Sequence, residues 1–471
     1  MEGTFLAVVD ADRIQDYIFA PRQLKLIRGA SAIQRDLNLR YSLELLRNSG
    51  YGPGNVDPGC DILDEGVDRN PGQKWEVVYA GGGNLYALFR ESRAAEEVAD
   101  DICALYRKHG VTASATAAVA PWAGTFRETL QNAQAKVTVR KTAVSAVADP
   151  ISRPYWRASD ACGGAPATHW ARNPVTGERM LCRACEARRG RSEHAPYLDE
   201  IGTGLKPPRD FEAIAETARP ESYLGLVYLD VDQLGRYFDN IDPLPPELYR
   251  RHSLRIQSTV KDGVIAGCRA ACETGTIGSA APFEILLMGG DDAVVMLAAQ
   301  LVFPFLKRFR EVFQRELTAL TFSAGIVWAH HHLPISQYVH HARRLLRSAK
   351  AEGGGRVDYL VVSESMVRER DESARHTLRP YTLEGFDNLY GTIRDWKGAR
   401  FPSSKAHQLY SMAFEEEDQG ALDFLYWLSR LEEHHRAAAC RFFGQDFWQR
   451  QPRRATGAAD LAELWDFVEA V

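Results

Sequence analysis

The chain has 471 residues, 45% of them hydrophobic and 25% charged, and a formal net charge of −5. That make-up fits a globular protein with length for three or four domains, and it excludes a polycation, so any nucleic-acid contact would be local. No apolar run reaches the roughly eighteen residues of a membrane-spanning helix, and eight cysteines in so long a chain do not read as a disulfide scaffold.

The N-terminus carries no basic leader and passes straight into a strand, so no signal peptide is expected and the cytoplasm is the expected compartment. That strand, Phe5-Leu-Ala-Val-Val-Asp10-Ala-Asp12, opens a first unit. The pattern then predicts a helix from Leu24 to Asn48, a Gly/Pro/Asp-rich insertion over 49–73, and a strand from Trp75 to Ala80. Gly81-Gly82-Gly83-Asn84 turns the chain into a strand at 85–89, followed by a helix at 91–109, a strand at 111–120 and a helix at 125–145.

A cysteine-bearing stretch follows. Cys182-Arg-Ala-Cys185 is a C-x-x-C knuckle among arginines, with Cys162 and His169 upstream. Three thiolates and an imidazole would make a tetrahedral, structural Zn²⁺ site. The competing reading is unlinked reduced thiols in a loop. Ser159 stands three residues before Cys162.

The first unit then recurs. A strand ends in Asp230-Val-Asp232, a long helix spans 246–274, and Gly289-Gly290-Asp291-Asp292 joins two apolar runs as a β-hairpin. A helix at 302–317, a strand at 320–329, a helix at 334–352 and a strand at 357–363 complete it. Lys141 follows Ala133 at the same spacing as Lys350 follows Ala342. Strand–helix–strand–strand–helix–strand is the ferredoxin-like pattern, expected here to keep its helices on one face and leave the other for ligands. Asp230 and Asp232 are two apart on a strand and project together. If they lie beside the hairpin, several carboxylates converge, which is unfavourable without a cation. An all-oxygen donor set suits Mg²⁺ (or Mn²⁺). The turn of the first copy offers Gly83-Asn84 in place of Asp291-Asp292 and lacks those anions. The second copy is therefore expected to be catalytic and the first to bind nucleotide or support the fold.

Taken together, Asp10-Ala-Asp-Arg-Ile-Gln-Asp-Tyr-Ile-Phe, Ile27-Arg-Gly-Ala-Ser-Ala, Tyr79-Ala-Gly-Gly-Gly-Asn, Tyr228-Leu-Asp-Val-Asp-Gln-Leu-Gly, Met288-Gly-Gly-Asp-Asp and Phe322-Ser-Ala-Gly-Ile resemble the large palm-containing subunit of type III CRISPR effector complexes. The resemblance covers about 4–365. It implies an α+β protein with two ferredoxin-like, nucleotide-cyclase-like palms (1–150, degenerate, and 221–365, catalytic), a Cys/His linker domain (151–220) and a helical C-terminal domain (366–471). It implies ATP between the palms and synthesis of cyclic oligoadenylates, switched on in the full complexes by target RNA. Guide and target RNA and other type III subunits are the implied partners, and the oligomeric state stays open. Asp230 and Asp291 would be the Mg²⁺ ligands, with Asp292 beside them. Two metals about 3.5–4 Å apart would activate a 3′-hydroxyl and stabilise the leaving pyrophosphate. Gly289, Gly290, Asp232, Ser323, Lys350 and, in the first palm, Gly81, Gly82, Gly83 and Asn84 are the implied nucleotide contacts. For Lys350 the alternative is a solvated lysine; for Ser323 it is a residue packed in the sheet. Larger members often begin with a nuclease domain carrying a His-Asp pair; no such pair occurs in this sequence, so DNase activity from that source is not expected.

Three other readings stay open: a catalytically idle scaffold subunit, a stand-alone cyclic dinucleotide synthase, and a diguanylate-cyclase-like enzyme using GTP. His330-His331-His332, His340-His341 and His434-His435 read as solvated histidines, and Glu415–Asp418 as a solvated helix end. Leu422, Leu425, Trp427, Leu431, Trp448, Leu461 and Trp465 predict a small helical bundle, with Arg450, Arg453 and Arg454 on its surface.

Overall fold

The computed structural model describes residues 3–143, 157–173, 177–193, 195, 197–202, 204–274, 280–362, 377–414, 417–444 and 456–469. Glu415, Glu416, Trp448, Arg450, Arg453 and Arg454 lie outside the described residues. The chain forms two compact units. One holds Met1–Gly202, Gln233–Asp262 and Leu286–Ala293; the other holds Thr203–Asp232, Gly263–Ile285 and Val294–Val471.

In the first unit, β1 (Phe5–Asp12), β2 (Trp75–Gly81), β3 (Asn84–Phe89) and β4 (Ser114–Pro121) form a sheet in the order β2-β3-β1-β4. This is the ferredoxin-like order the sequence pattern predicts. β1 runs antiparallel to both neighbours, with Asp10 opposite Asn84 on one side and Thr116 on the other. The expectation of an open sheet face does not hold. Leu6 and Val8 of β1, Tyr86 and Leu88 of β3, and Ala118 and Ala120 of β4 point to one face. They pack there with Phe126, Leu130, Ala133 and Val137 of α5 (Phe126–Ala143). The alternate residues Ala7, Val9, Leu85 and Ala87 are also buried, facing the other way. On that side α4 (Ser92–Gly110) packs against β1, β3 and β4.

The predicted helix 24–48 is one continuous stretch of three parts: α2 (Leu24–Arg35), a π-helical segment Asp36–Tyr41, and α3 (Ser42–Asn48). The 49–73 insertion is anchored by buried polar bonds. The Asn55 amide accepts from Val77 N at 2.7 Å and donates to Val77 O at 3.0 Å. Glu76, 1% exposed, pairs at 2.6 Å with Arg250, 2% exposed, in the first half of α10 (Pro246–Thr274). Three short helices intervene before α10 in the Cys-bearing and following stretch, α6 (Arg183–Arg189), α7 (Leu198–Ile201) and α8 (Phe211–Ala215), beside the hairpin β5 (His169–Asn173) and β6 (Gly177–Leu181).

The second sheet contains β7 (Tyr223–Val231), β8 (Phe283–Gly289), β9 (Asp292–Ala298), β10 (Phe322–His330), β11 (Arg356–Val362) and β12 (Tyr381–Thr382). Its order is β12-β11-β10-β7-β9-β8. β8-β9-β7-β10 repeat the first sheet's order, and β11 and β12 extend the sheet beyond β10. α11 (Val302–Glu316) and α12 (Ile335–Ala351) lie within two residues of their predicted bounds. Helices at Leu383–Gly398, Ser403–Met412, Glu417–Ser429, Glu433–Phe443 and Ala458–Leu464 form the C-terminal region. A fully buried carboxylate ties the last of these to the sheet. Asp460 accepts from the hydroxyls of Tyr359 (2.7 Å) and Tyr381 (2.6 Å) and from Leu378 N (3.1 Å), beside Arg379. Among the described residues no helix is long and apolar enough to cross a membrane.

Candidate nucleotide site

Two glycine turns meet in the first unit. Gly82 and Gly290 hold φ of +56° and +59°, a region glycine enters at no steric cost. A Cβ on Gly289 would lie 3.3 Å from Gly82 Cα; one on Gly290 would lie 3.3 Å from Gly82 Cα and 2.8 Å from the Tyr79 hydroxyl. The turns thus approach backbone to backbone, and a side chain at Gly289 or Gly290 would force its neighbours to move. The first turn is held from below by Asn38, which the sequence reading missed. With its amide oriented to satisfy both ends, Asn38 accepts from Gly81 N and Gly83 N at 3.2 Å and donates to Asn84 O at 3.3 Å. Asn38 sits in the π-helical segment, a distortion that re-aims side chains and is frequent at functional sites. Tyr79 lies under both turns. Burial, and next the carboxylate of Asp291, push its phenol well above the ordinary range, so it stays neutral and can donate.

Asp291 and Asp292 are half-buried at the tip of the hairpin. Asp230 is the penultimate residue of β7, and β9, which starts at Asp292, is the neighbour of β7 in the sheet.

The Asp-x-Asp motifs are built alike in the two copies. In the first, Lys141 Nζ lies 2.9 Å from Asp10 and 3.2 Å from Asp12. In the second, Lys350 Nζ donates to Asp230 Oδ1 and, at 3.2 Å, to Val231 O. Thr116, opposite Asp10, donates to Asp12 at 3.0 Å; Ser323, opposite Asp230, donates to Asp232 at 2.7 Å. Each motif is followed by a left-handed residue, Arg13 or Gln233, and a short helix, α1 (Ile14–Phe19) or α9 (Leu234–Asp239). Neither helix is visible in the sequence pattern, because six residues are too few to show a period.

The two aspartates of the second motif differ sharply. Asp230 keeps 27% of its side chain exposed. Asp232 is 3% exposed and accepts from Thr321 Oγ1 (2.8 Å), Ser323 Oγ (2.7 Å) and Gly355 N (2.7 Å). Ser323 is wholly buried. Asp232 and Ser323, expected at the nucleotide, are thus engaged with each other and with the 353–355 glycine loop. Lys350, expected on a phosphate, is engaged with Asp230.

In the Cys-bearing stretch, Cys162, Cys182 and Cys185 bring their sulfurs within 4.8 Å of one another, and Cys162 Sγ to Cys182 Sγ is 3.9 Å. Tetrahedral Zn–S bonds of about 2.3 Å put sulfurs about 3.8 Å apart, so the three thiols fit zinc. The expected fourth ligand is a correction. His169 is exposed on β5, its Nδ1 paired at 2.8 Å with Thr168, and it is not in the cluster. The buried hydroxyl of Ser159 stands with the thiols instead. Burial alone would raise the Cys162 thiol, but N–H groups of Gly164 and Ala165 and the Ser159 hydroxyl outweigh it and bring it to about 7. Burial, then the neighbouring Cys182, pushes Cys185 up to about 12. His330, His331 and His332 also bring ring nitrogens together, on the loop leaving β10.

The two repeated sheets and the abutting turns define a tandem-palm protein. Residues 223–357 match the family model of the Cas10/Cmr2 second palm domain. No curated protein matches the chain. Solved structures with the same fold include Csm1 from T. onnurineus, at 18% identity and a TM-score of 0.60, covering 91% of this chain and 64% of that one. Another is the Csm1–Csm4 cassette in complex with one ATP, at 16% identity and 0.62, covering 99% and 70%. A third is the cassette in complex with cA3, at 16% and 0.61, covering 99% and 70%. The chain spans between 61% and 70% of the length of the chains it matches.

Proposed function

We propose that the chain is an ATP-using nucleotidyl transferase that makes cyclic oligoadenylates, with its second palm catalytic and its first palm a nucleotide-binding partner. The observation that carries this is the asymmetry of two otherwise superimposable motifs. The lysine–aspartate pair and the hydroxyl–aspartate bond recur in both copies, while only the second copy adds Asp291-Asp292 at its turn. A scaffold present twice with the acidic pair present once fits a single catalytic centre. The matched cassettes in complex with ATP, cA3 and cA4 support the substrate and product class.

Asp230, Asp291 and Asp292 supply carboxylate oxygens of the kind Mg²⁺ or Mn²⁺ takes, and in this reading Asp230 with Asp291 would hold it. Bound there, a divalent ion would supply charge neutralisation for the triphosphate and a more acidic 3′-hydroxyl. Asp232 does not fit as a ligand, because its oxygens are already bonded by three donors. It fixes the end of β7 and so the position of Asp230. Lys350 pairs with Asp230 and stands ready to exchange that carboxylate for a phosphate oxygen. Lacking side chains, the glycine turns would let a triphosphate come close to the backbone. Cys162, Cys182 and Cys185 would hold a structural Zn²⁺. Other type III subunits, and guide and target RNA, belong to this reading as partners, with the cytoplasm as its compartment. The segments 1–150, 151–220, 221–365 and 366–471 are kept as its domains.

The test is incubation of the protein with each NTP and Mg²⁺, with and without type III partner subunits and target RNA, and mass spectrometry of the products. Cyclic oligoadenylates from ATP support the reading. No product from any NTP under all conditions favours the idle scaffold, and a GTP-derived dinucleotide favours the cyclase alternative.

A further inference from the structure

Three successive histidines gather where the chain leaves β10. Successive side chains of an extended strand point to opposite faces, so His330, His331 and His332 could not meet on a continued strand. They meet because the chain turns there, Leu333 N donating to His330 O at 2.9 Å. One ring nitrogen of each histidine lies within 4.8 Å of the others. The ring centroids are 4.5 Å apart for His330 and His331, 4.8 Å for His330 and His332, and 4.0 Å for His331 and His332. Ser323 is near the opposite end of β10, about 23 Å from His330 at about 3.3 Å per residue, so the cluster stands well away from the Ser323–Asp232 pair.

The turn is braced. The buried Tyr338 hydroxyl donates to Ala329 O at 2.6 Å and lies 3.1 Å from His330 O. His331 N donates to Ser222 O at 2.8 Å, and His331 Nδ1 lies 3.3 Å from the same carbonyl. A carbonyl only accepts, so Nδ1 carries the proton and Nε2 keeps its lone pair. A carbonyl behind one ring nitrogen is the usual support of a metal-binding histidine. Ser222 takes that place with φ of +67°, a strained value for a residue with a side chain. His330 stands edge-on to Tyr223, its partner across the β7–β10 ladder, at 6.1 Å. Its Nδ1 accepts from His332 N at 3.4 Å, a long bond that costs little to give up. Glu432, His434 and His435 also bring ligand atoms within 4.8 Å of one another. There, however, the Glu432 and His434 side chains are 76% and 58% exposed, and His435 Nε2 is engaged with Ala399 O at 3.1 Å.

We propose that His330, His331 and His332 bind one divalent transition-metal ion, with His331 Nε2 as the fixed ligand. Three imidazoles select ions such as Zn²⁺ or Ni²⁺ over Mg²⁺, which takes oxygen ligands. Metal–nitrogen bonds of about 2.1 Å put nitrogens about 3.4 Å apart in a tetrahedron. The rings of His330 and His332 reach that spacing by turning about their side-chain bonds toward His331. Three ligands leave at least one position for water or for a donor from another molecule. The all-nitrogen set also separates this site from the softer thiols of Cys162, Cys182 and Cys185.

The test titrates the full, metal-free chain, without a histidine tag, with NiCl₂ in the presence of millimolar MgCl₂. Modification of each histidine by diethyl pyrocarbonate is read by peptide mass mapping, which separates this cluster from binding at the thiols. The inference expects saturable protection of His330, His331 and His332, unchanged by omitting MgCl₂. The His332 side chain is exposed, so H332A keeps the fold, as a thermal melt checks. In H332A the midpoint for protecting His330 and His331 should rise by about tenfold or more, at least what loss of an outer partner of a metal ligand costs. H434A should leave that midpoint where it is. No protection of the three histidines, equal protection of His340 and His434 over the same range, or an unchanged midpoint in H332A would overturn it.

Discussion

Lys141 Nζ lies 2.9 Å from Asp10 Oδ2, and Lys350 holds Asp230 in the same way 209 positions later. Each lysine comes from the helix that follows the fourth strand of its sheet, so the pair is a product of the duplicated fold and not of local sequence. What differs is the company: acidic at the turn of the second copy, glycine and amide at the first.

The lysines should therefore differ in consequence. Lys350→Ala is expected to lower product formation from ATP by about 10²-fold, the scale of a lost charge contact in a transition state. Lys141→Ala should change it by no more than about threefold. Initial rates of both variants at saturating ATP check this. Equal losses would mean that both palms react.

Asp232 is held by three donors at the end of β7. Asp232→Ala leaves Ser323 buried without its acceptor and removes three hydrogen bonds to a charged group, so a loss of about 2–4 kcal/mol is expected in chemical unfolding. Asp12→Ala, at a site 22% exposed, should cost about half as much or less.

Much of this was legible in the sequence. The two strand–helix–strand–strand–helix–strand units, their motifs and the lysine spacing follow from periodicity and repetition, and element ends fell within about three residues. The closing of both sheet faces was not legible, because Ala, Val and Leu fill β1 on both sides and alternation is then silent. Nor was the task of Asn38, a polar residue in an apolar helix whose π-helical turn aims it at the glycine backbone. His169 suited zinc by spacing alone; the hairpin β5–β6 turns it away from the thiols.

The pair Arg250–Glu76 joins α10 to β2 where both side chains are almost fully buried. Burial raises the Glu76 carboxyl despite the arginine, so desolvation outweighs attraction there. Glu76→Gln should be tolerated far better than Arg250→Met, which strands a buried acid and is expected to cost about 3–5 kcal/mol. Since the folded carboxyl is raised, the sign runs so that its contribution is largest in acid and falls as pH rises through the folded value. The Arg250→Met variant should regain stability on acidification, read as a rise in melting temperature between about pH 7 and pH 5.

The Cys162 thiol is lowered to about 7, whereas burial raises the Cys185 thiol to about 12. Iodoacetamide should label Cys162 first, its rate rising through about pH 7 and levelling above about pH 8. Prior zinc should protect Cys162, Cys182 and Cys185 together and leave the exposed Cys440 reactive. Peptide mass mapping with and without zinc decides it; labelling of Cys162 unchanged by zinc would remove the metal site.

The asymmetry between the palms is tested most directly by Asp291→Ala set beside Asp10→Ala, assayed for cyclic oligoadenylate from ATP under conditions where the wild-type chain is active. The account predicts that Asp291→Ala loses at least about 10²-fold of product with an unchanged melting temperature, while Asp10→Ala keeps most of it. An Asp291→Ala variant that still makes wild-type amounts of product would contradict it.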